Sequence, residues 1–218
     1  YKGMWEDFSR TVGFWVDIGS SAEKPAQNGY THFIEHMLFK GADGLTAYDI
    51  ARQVDSVGGV MNAFTTREMT CFYVNVVAEH ALMVIELLRR MYYKADFDSA
   101  ELERERQVIL QELLMYEDTP DEYIHDRFIT SIWPRHAVGA PIAGTVATVS
   151  ALTRTKLNNF YRTNYTSDRL VVAVAGKFDH DAVAAELATY PATGMGKTAA
   201  RTGPFHKPRF ILDSREKE

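Results

Sequence analysis

The alternation of apolar and polar positions divides the 218-residue chain into helices and strands that follow one another without a regular repeat. Residues 12–20 are aromatic and β-branched and predict a strand closed by a turn. Residues 20–28 are polar, contain Pro25 and read as a loop. From 31 to 40 the apolar Phe33, Ile34, Met37 and Leu38 recur at helical spacing, with Gly41 placed for a left-handed C-cap. A second helix fits residues 46–57, capped by Thr46, with Ile50 and Val54 on one face and Gly58-Gly59 as its stop. Residues 60–76 are strand-like, as two strands or one bent one, and the polar Asn62 and Thr65 among apolar neighbours mark an edge. Residues 78–93 and 100–117 carry helical periodicity, as do Tyr123, Phe128, Ile129, Ile132 and Trp133. A turn-rich segment at 134–144 leads to a helix at 153–165 and to a strand at 169–176, which its continuous apolar run predicts to be buried. Asp179 caps a last helix ending at Ala188, residues 190–207 read as a linker, and Phe210-Ile211-Leu212 begins a new strand. The class predicted is α+β, with helices packed on one antiparallel or mixed sheet.

Composition narrows the function classes. At 46% hydrophobic residues the chain can bury a proper core. A net charge of −5 provides no basic footprint for nucleic acid and no cationic face for an anionic membrane. No apolar run approaches the roughly 20 residues of a membrane span, and no signal peptide opens the chain, although Tyr1 is not an initiator. Cys71 is the only cysteine, which excludes an internal disulfide framework and leaves histidines and carboxylates as metal ligands. One thiol fits a reducing compartment.

Against that plain background one stretch carries chemistry: Thr31-His32-Phe33-Ile34-Glu35-His36. A helix turns about 100° per residue, so His36 falls about 40° to one side of His32 and Glu35 about 60° to the other. Two imidazoles at i and i+4 can share a Zn²⁺ ion, and the carboxylate between them can reach a water on the ion's open position. The order H-x-x-E-H is itself a zinc-peptidase signature. Chance alone would produce such a match in roughly one to two per cent of chains this long, and a core helix with hydrogen-bonded histidines is the competing explanation. The motif therefore needs a third ligand. On the helix at 100–117, Glu101, Glu105, Val108 and Glu112 form one stripe, and Glu112 sits among the apolar Val108, Ile109, Leu113 and Leu114. A carboxylate in that setting is costly unless a cation meets it.

These residues resemble the insulinase, pitrilysin and mitochondrial processing peptidase family, the inverted zincins. The resemblance is carried by His32-x-x-Glu35-His36 with Glu112 76 residues after His36, by Phe39-Lys40-Gly41, and by Gly58-Gly59 followed by Asn62-Ala63. Further matches are Glu103-Arg104-Glu105-Arg106 leading to Val108-Ile109, and Asn164-Tyr165 through Gly176. It runs from about Val12 to the chain end and is strongest for the processing-peptidase branch and its bacterial relatives. The resemblance implies a zinc endopeptidase in which His32, His36 and Glu112 hold Zn²⁺, Glu35 activates the attacking water and Glu105 assists the site. It also implies that Asn62, Ala63 and Phe64 belong to the edge that pairs with an extended peptide or presequence. Members of the family are two-half clamshells, so residues 1–190 are expected to be the N-terminal metallopeptidase half and 191–218 a linker and the opening of a second half. That second half would be a C-terminal half or a second subunit of the same family, identical or related. The first ten residues do not match the family's usual first strand. A non-catalytic peptide-binding partner subunit, or an inactive truncated half, is the alternative.

Overall fold

In the computed structural model, which describes residues 9–176 and 178–189, strand β1 (Ser9–Val16) runs through the interior of a sheet. Val12, Phe14 and Val16 are sealed on one side while Trp15 faces the other, the period of two expected of a strand covered on one face. The chain continues through helix α1 (Tyr30–Leu38), a short ribbon of β2 (Gly41–Ala42) and β3 (Leu45–Thr46), and helix α2 (Ala47–Asp55). The hairpin β4 (Val60–Thr65) and β5 (Thr70–Val77) follows, then helices α3 (Ala81–Tyr93), α4 (Ser99–Asp118) and α5 (Pro120–Ile132). Helices α6 (Val146–Ala151) and α7 (Arg154–Asn164), strand β6 (Leu170–Ala175) and helix α8 (His180–Ala188) complete the described chain. Strand order is β4-β5-β1-β6, with every pair antiparallel. Among the described residues, nothing pairs with the outer side of β4.

The core lies between the sheet and its helices. Phe72, Val74 and Val76 of β5 join the inward side chains of β1 and meet Val84, Ile85 and Leu88 of α3. Helix α1 buries Phe33, Ile34, Met37 and Leu38 and packs against β4, α4 and α7. Each such side chain contributes roughly 1.5–3 kcal/mol by leaving water, which fixes the roll of the helix and so the direction of its polar residues. Its first turn is held by Glu23. That buried carboxylate accepts from the amides of Gly29 (2.7 Å) and Thr31 (2.6 Å), from Thr31 Oγ1 (2.7 Å) and from Asn28 Nδ2 (3.3 Å). Burial pushes the Glu23 carboxyl up to about 7, and the hydrogen bonds from Thr31, Gly29 and Asn28 work against that rise. Gly29 is left-handed (φ 93°), and a Cβ there would come within 2.7 Å of the Ala143 carbonyl oxygen. The loop at 141–144 is thereby fastened to the start of α1, and Asn28 Nδ2 donates to the Pro141 carbonyl at 2.8 Å.

Helix α4 is set by its own entry. Asp98 Oδ1 accepts from Ala100 N (2.8 Å) and Glu101 N (3.1 Å), satisfying two of the free amides of the first turn. Phe97, just before it, has φ 46°, unusual for a bulky residue, and Arg154 Nε holds its carbonyl at 2.6 Å.

Four expectations from sequence change. Gly41 does not cap α1 in the left-handed region: it lies in β2, paired with Thr46. Strand β6 is not a buried strand: among the described residues it stands at the end of the strand order, and Val171 is 65% exposed. Helix α5 is present but buries none of its residues, and Phe128 is 59% exposed. On α4 the inward stripe runs through Ile109, which is sealed, while Val108 and Leu114 are each 49% exposed. Residues 60–76 prove to be two strands, joined by a turn in which Thr66 N donates to the Met69 carbonyl at 2.8 Å. The expected linker and strand beyond 190 lie outside the described residues.

Candidate metal centre and cleft

His32 and His36 stand one turn apart on α1, their ring centroids 4.7 Å from each other. Because α1 packs against α4, both face Glu112. His32 Nε2 is 3.8 Å from Glu112 Oε1 and His36 Nε2 is 3.6 Å from Glu112 Oε2. One donor atom from each of the three residues lies within 4.8 Å of the others. These gaps are too long for hydrogen bonds. They approach the separation of roughly 3.3 Å expected between atoms that share a tetrahedral ion at bonds of about 2.0–2.1 Å. The donor set, two imidazoles and one carboxylate, is a zinc set. Burial, and then the neighbouring His36, push the His32 imidazole down to about 3. His32 is therefore neutral at pH 7 and its contact with Glu112 is not an ion pair. Its Nδ1 is buried without a hydrogen-bond partner. Burial raises the Glu112 carboxyl above its ordinary range, while His36 opposes the rise.

Glu35 lies beside the cluster, on the cleft side. Burial pushes its carboxyl up, against a lowering hydrogen bond from Thr65 and the proximity of His36, with Glu112 adding to the rise. Thr65 Oγ1 donates that bond to Glu35 Oε2. Glu105, expected from the resemblance to assist the site, lies behind His36 rather than in the cleft. It is 5% exposed, and its Oε2 is 3.0 Å from His36 Nδ1. Its other oxygen, Oε1, meets Lys40 Nζ at 2.8 Å. A carboxylate at Nδ1 places the ring proton there and frees Nε2 toward Glu112.

The expected substrate strand divides by geometry. Since Thr66 N bonds Met69 O, the alternation of an antiparallel ladder turns the backbone of Phe64 and Asn62 toward β5 and that of Thr65, Ala63 and Met61 outward. Ala63 therefore turns its backbone groups to the edge, where its amide is held by the Asn62 side chain, whose Oδ1 accepts from Ala63 N at 2.8 Å. Phe64 lines the cleft and also packs its ring on Trp15, with centroids 5.8 Å apart. The cleft, about 490 Å³, is lined by His32, Glu35 and Glu112, by Ala63 and Thr65 of β4, and by the acidic Glu122 and Asp126 of α5. Arg67 braces the α5 wall: Nη2 meets Asp126 Oδ1 at 3.0 Å and Nε donates to Val138 O at 2.9 Å.

Sequence reasoning did not reach Lys40, Thr65 as a partner of Glu35, Glu23, or the acidic wall. Lys40 had a signal, being one helical turn past His36. The others depend on approaches between distant segments.

This fold with this donor set defines a class, a metallopeptidase-like α+β unit whose candidate metal ligands come from two packed helices. Residues 6–146 match the family described as Insulinase (Peptidase family M16), and 151–211 match the Peptidase M16 inactive domain. The chain belongs to the insulinase family of peptidases. The second match begins just before α7, and β6, which lies within it, pairs with β1, so both matched stretches share one sheet. A zinc protease of Mycobacterium leprae is 41% identical over 81% of this chain and 40% of its own length. A zinc protease of Bacillus subtilis is 40% identical over 77% and 41%. The mitochondrial-processing peptidase subunit beta of Blastocladiella emersonii is 34% identical over 92% and 43%. The chain thus spans less than half the length of these relatives. Among solved structures, a protease from Helicobacter pylori shares the fold at a TM-score of 0.82 and 22% identity, over 92% of this chain and 49% of that one. An M16-like peptidase from Alicyclobacillus acidocaldarius superposes at 0.76 with 26% identity, over 85% and 46%. No helix among the described residues is long and apolar enough to cross a membrane.

Proposed function

We propose that this chain is the metal-bearing half of a zinc-dependent endopeptidase that hydrolyses peptides bound in extended form. The observation that carries the reading is the convergence of His32, His36 and Glu112, with donor atoms within 4.8 Å, beside a cleft that His32, Glu35 and Glu112 line together with Ala63, Phe64 and Thr65 of β4. Zn²⁺ held by these three residues would supply a water of lowered pKa and an electrophile for the scissile carbonyl. Glu35, partly buried and of raised pKa, takes the proton of the attacking water and passes it to the leaving amine. Glu105 acts through His36 and is a positioning residue. The outward backbone groups of Ala63 and its neighbours pair with the peptide, and Asn62 Oδ1 gives up the Ala63 amide as they do so. The carboxylates of Glu122 and Asp126 favour a basic side chain near the bond that is cut. On this reading residues 1–190 form one half of a clamshell, and a second half or subunit, identical or related, supplies the remaining walls.

The test is Glu35→Gln. The variant should keep its zinc and lose cleavage by roughly a hundredfold to ten-thousandfold. Hydrolysis retained by a zinc-loaded variant would remove Glu35 from its role.

A further inference from the structure

Glu35 has one hydrogen bond among the described residues, and it comes neither from its own helix nor from α4. It comes from Thr65, the last residue of β4, whose Oγ1 donates to Oε2. The other oxygen, Oε1, has no hydrogen-bond partner and is not sealed from the cleft that both residues line. The two oxygens are therefore unequal: one is anchored, one is free to exchange a proton. Thr65 is also one of the outward-turned positions of β4, so its backbone belongs to the edge while its side chain belongs to the acid.

We infer that Thr65 is a positioning residue for Glu35, tying the proton-accepting oxygen to the strand that holds the peptide. The inference rests on the reading of Glu35 as general base. A glutamate without such an anchor samples several rotamers, and only some keep Oε1 facing the reacting carbonyl. With the anchor in place, any displacement of β4 carries acid and peptide together, and their separation is kept. This is where a proton-transfer distance is most sensitive to small shifts. The bond also stays intact through turnover, because a proton arriving at Oε1 leaves Oε2 free to go on accepting from the hydroxyl.

The experiment compares Thr65→Val, Thr65→Ser and Glu35→Gln in the zinc-loaded protein. It measures zinc affinity by chelator competition, kcat and KM on a peptide, and affinity for a phosphinic peptide whose tetrahedral oxygen Glu35 would contact. Thr65→Val should bind zinc as the parent does and hold KM within about twofold, while kcat falls roughly tenfold to a hundredfold. Affinity for the phosphinic peptide should fall by a similar factor, and affinity for an uncleaved ordinary peptide should not. Thr65→Ser should restore kcat to within about threefold of the parent. Should the valine protein fail to fold, the same binding measurement on Thr65→Ala decides. A valine variant with parental kcat, equal impairment of valine and serine variants, or a change carried by KM would each overturn the inference. Continued hydrolysis by Glu35→Gln would instead overturn the base assignment itself, so the two failures are distinguishable.

Discussion

Replacing Glu105 with glutamine tests whether this carboxylate works through the metal ligand or on the substrate. The residue is 5% exposed, and its side chain accepts two charge-assisted hydrogen bonds, from His36 Nδ1 at 3.0 Å and Lys40 Nζ at 2.8 Å. Glutamine matches its shape but has one acceptor oxygen and one donating nitrogen. If the oxygen serves His36, the amide nitrogen faces the Lys40 ammonium, donor against donor. If the amide flips, His36 loses its acceptor. Either way one strong bond is lost, about 1.5–3 kcal/mol. The Lys40 ammonium can only donate, so the amide oxygen turns to it and His36 loses its acceptor; the effect should appear as zinc affinity weakened roughly tenfold to a hundredfold. Competition against a chromophoric chelator measures it, and denaturation of the metal-free protein measures any general loss of stability separately. Zinc affinity within about twofold of the parent, together with impaired cleavage, would refute the reasoning and place Glu105 in contact with substrate.

Two further outcomes are expected. Burial holds the His32 imidazole at about 3, against 6.5 for a free one, so as pH falls the unfolded chain takes up the proton first. Stability of the metal-free protein is therefore present above pH 6.5 and lost toward pH 3, with about 2 kcal/mol gone between pH 7 and pH 5. Denaturant titrations of parent and His32→Asn check this, and identical pH slopes would contradict it. Glu122→Gln should raise KM for a peptide carrying arginine near the scissile bond about twofold to fivefold at low salt. A peptide with no charge there should be cut as before, and equal effects on both peptides would dismiss the acidic wall as a selector.

The parts of this molecule legible in its sequence are those governed by local periodicity. The turn of α1 alone puts His32, Glu35 and His36 on one side, and the seven-residue step from Glu105 to Glu112 keeps both on the side of α4 that meets α1. The caps Thr46 and Asp179 also stand where side-chain chemistry placed them. What periodicity cannot show is which neighbour covers a face. Strand β6 has the apolar run of a buried strand, yet among the described residues it stands at the end of the strand order and leaves Val171 exposed. Val108 and Ile109 are equally apolar, and only the packing of α4 decides that the latter is sealed. Glu23 reads as an ordinary loop acid until Gly29 and Thr31 point their amides at it. Thr65 and Glu35 are 30 residues apart, and no spacing rule links them.

Helix α5 has no fully buried residue, and Arg67 pairs with its Asp126, whereas α1, which carries His32 and His36, is locked into the core. Drift in α5 is therefore cheap: a substitution there changes the lining of the cleft without disturbing the packing beneath. A lineage carrying this scaffold can vary that rim one surface residue at a time while the helices bearing His32, His36 and Glu112 stay as they are.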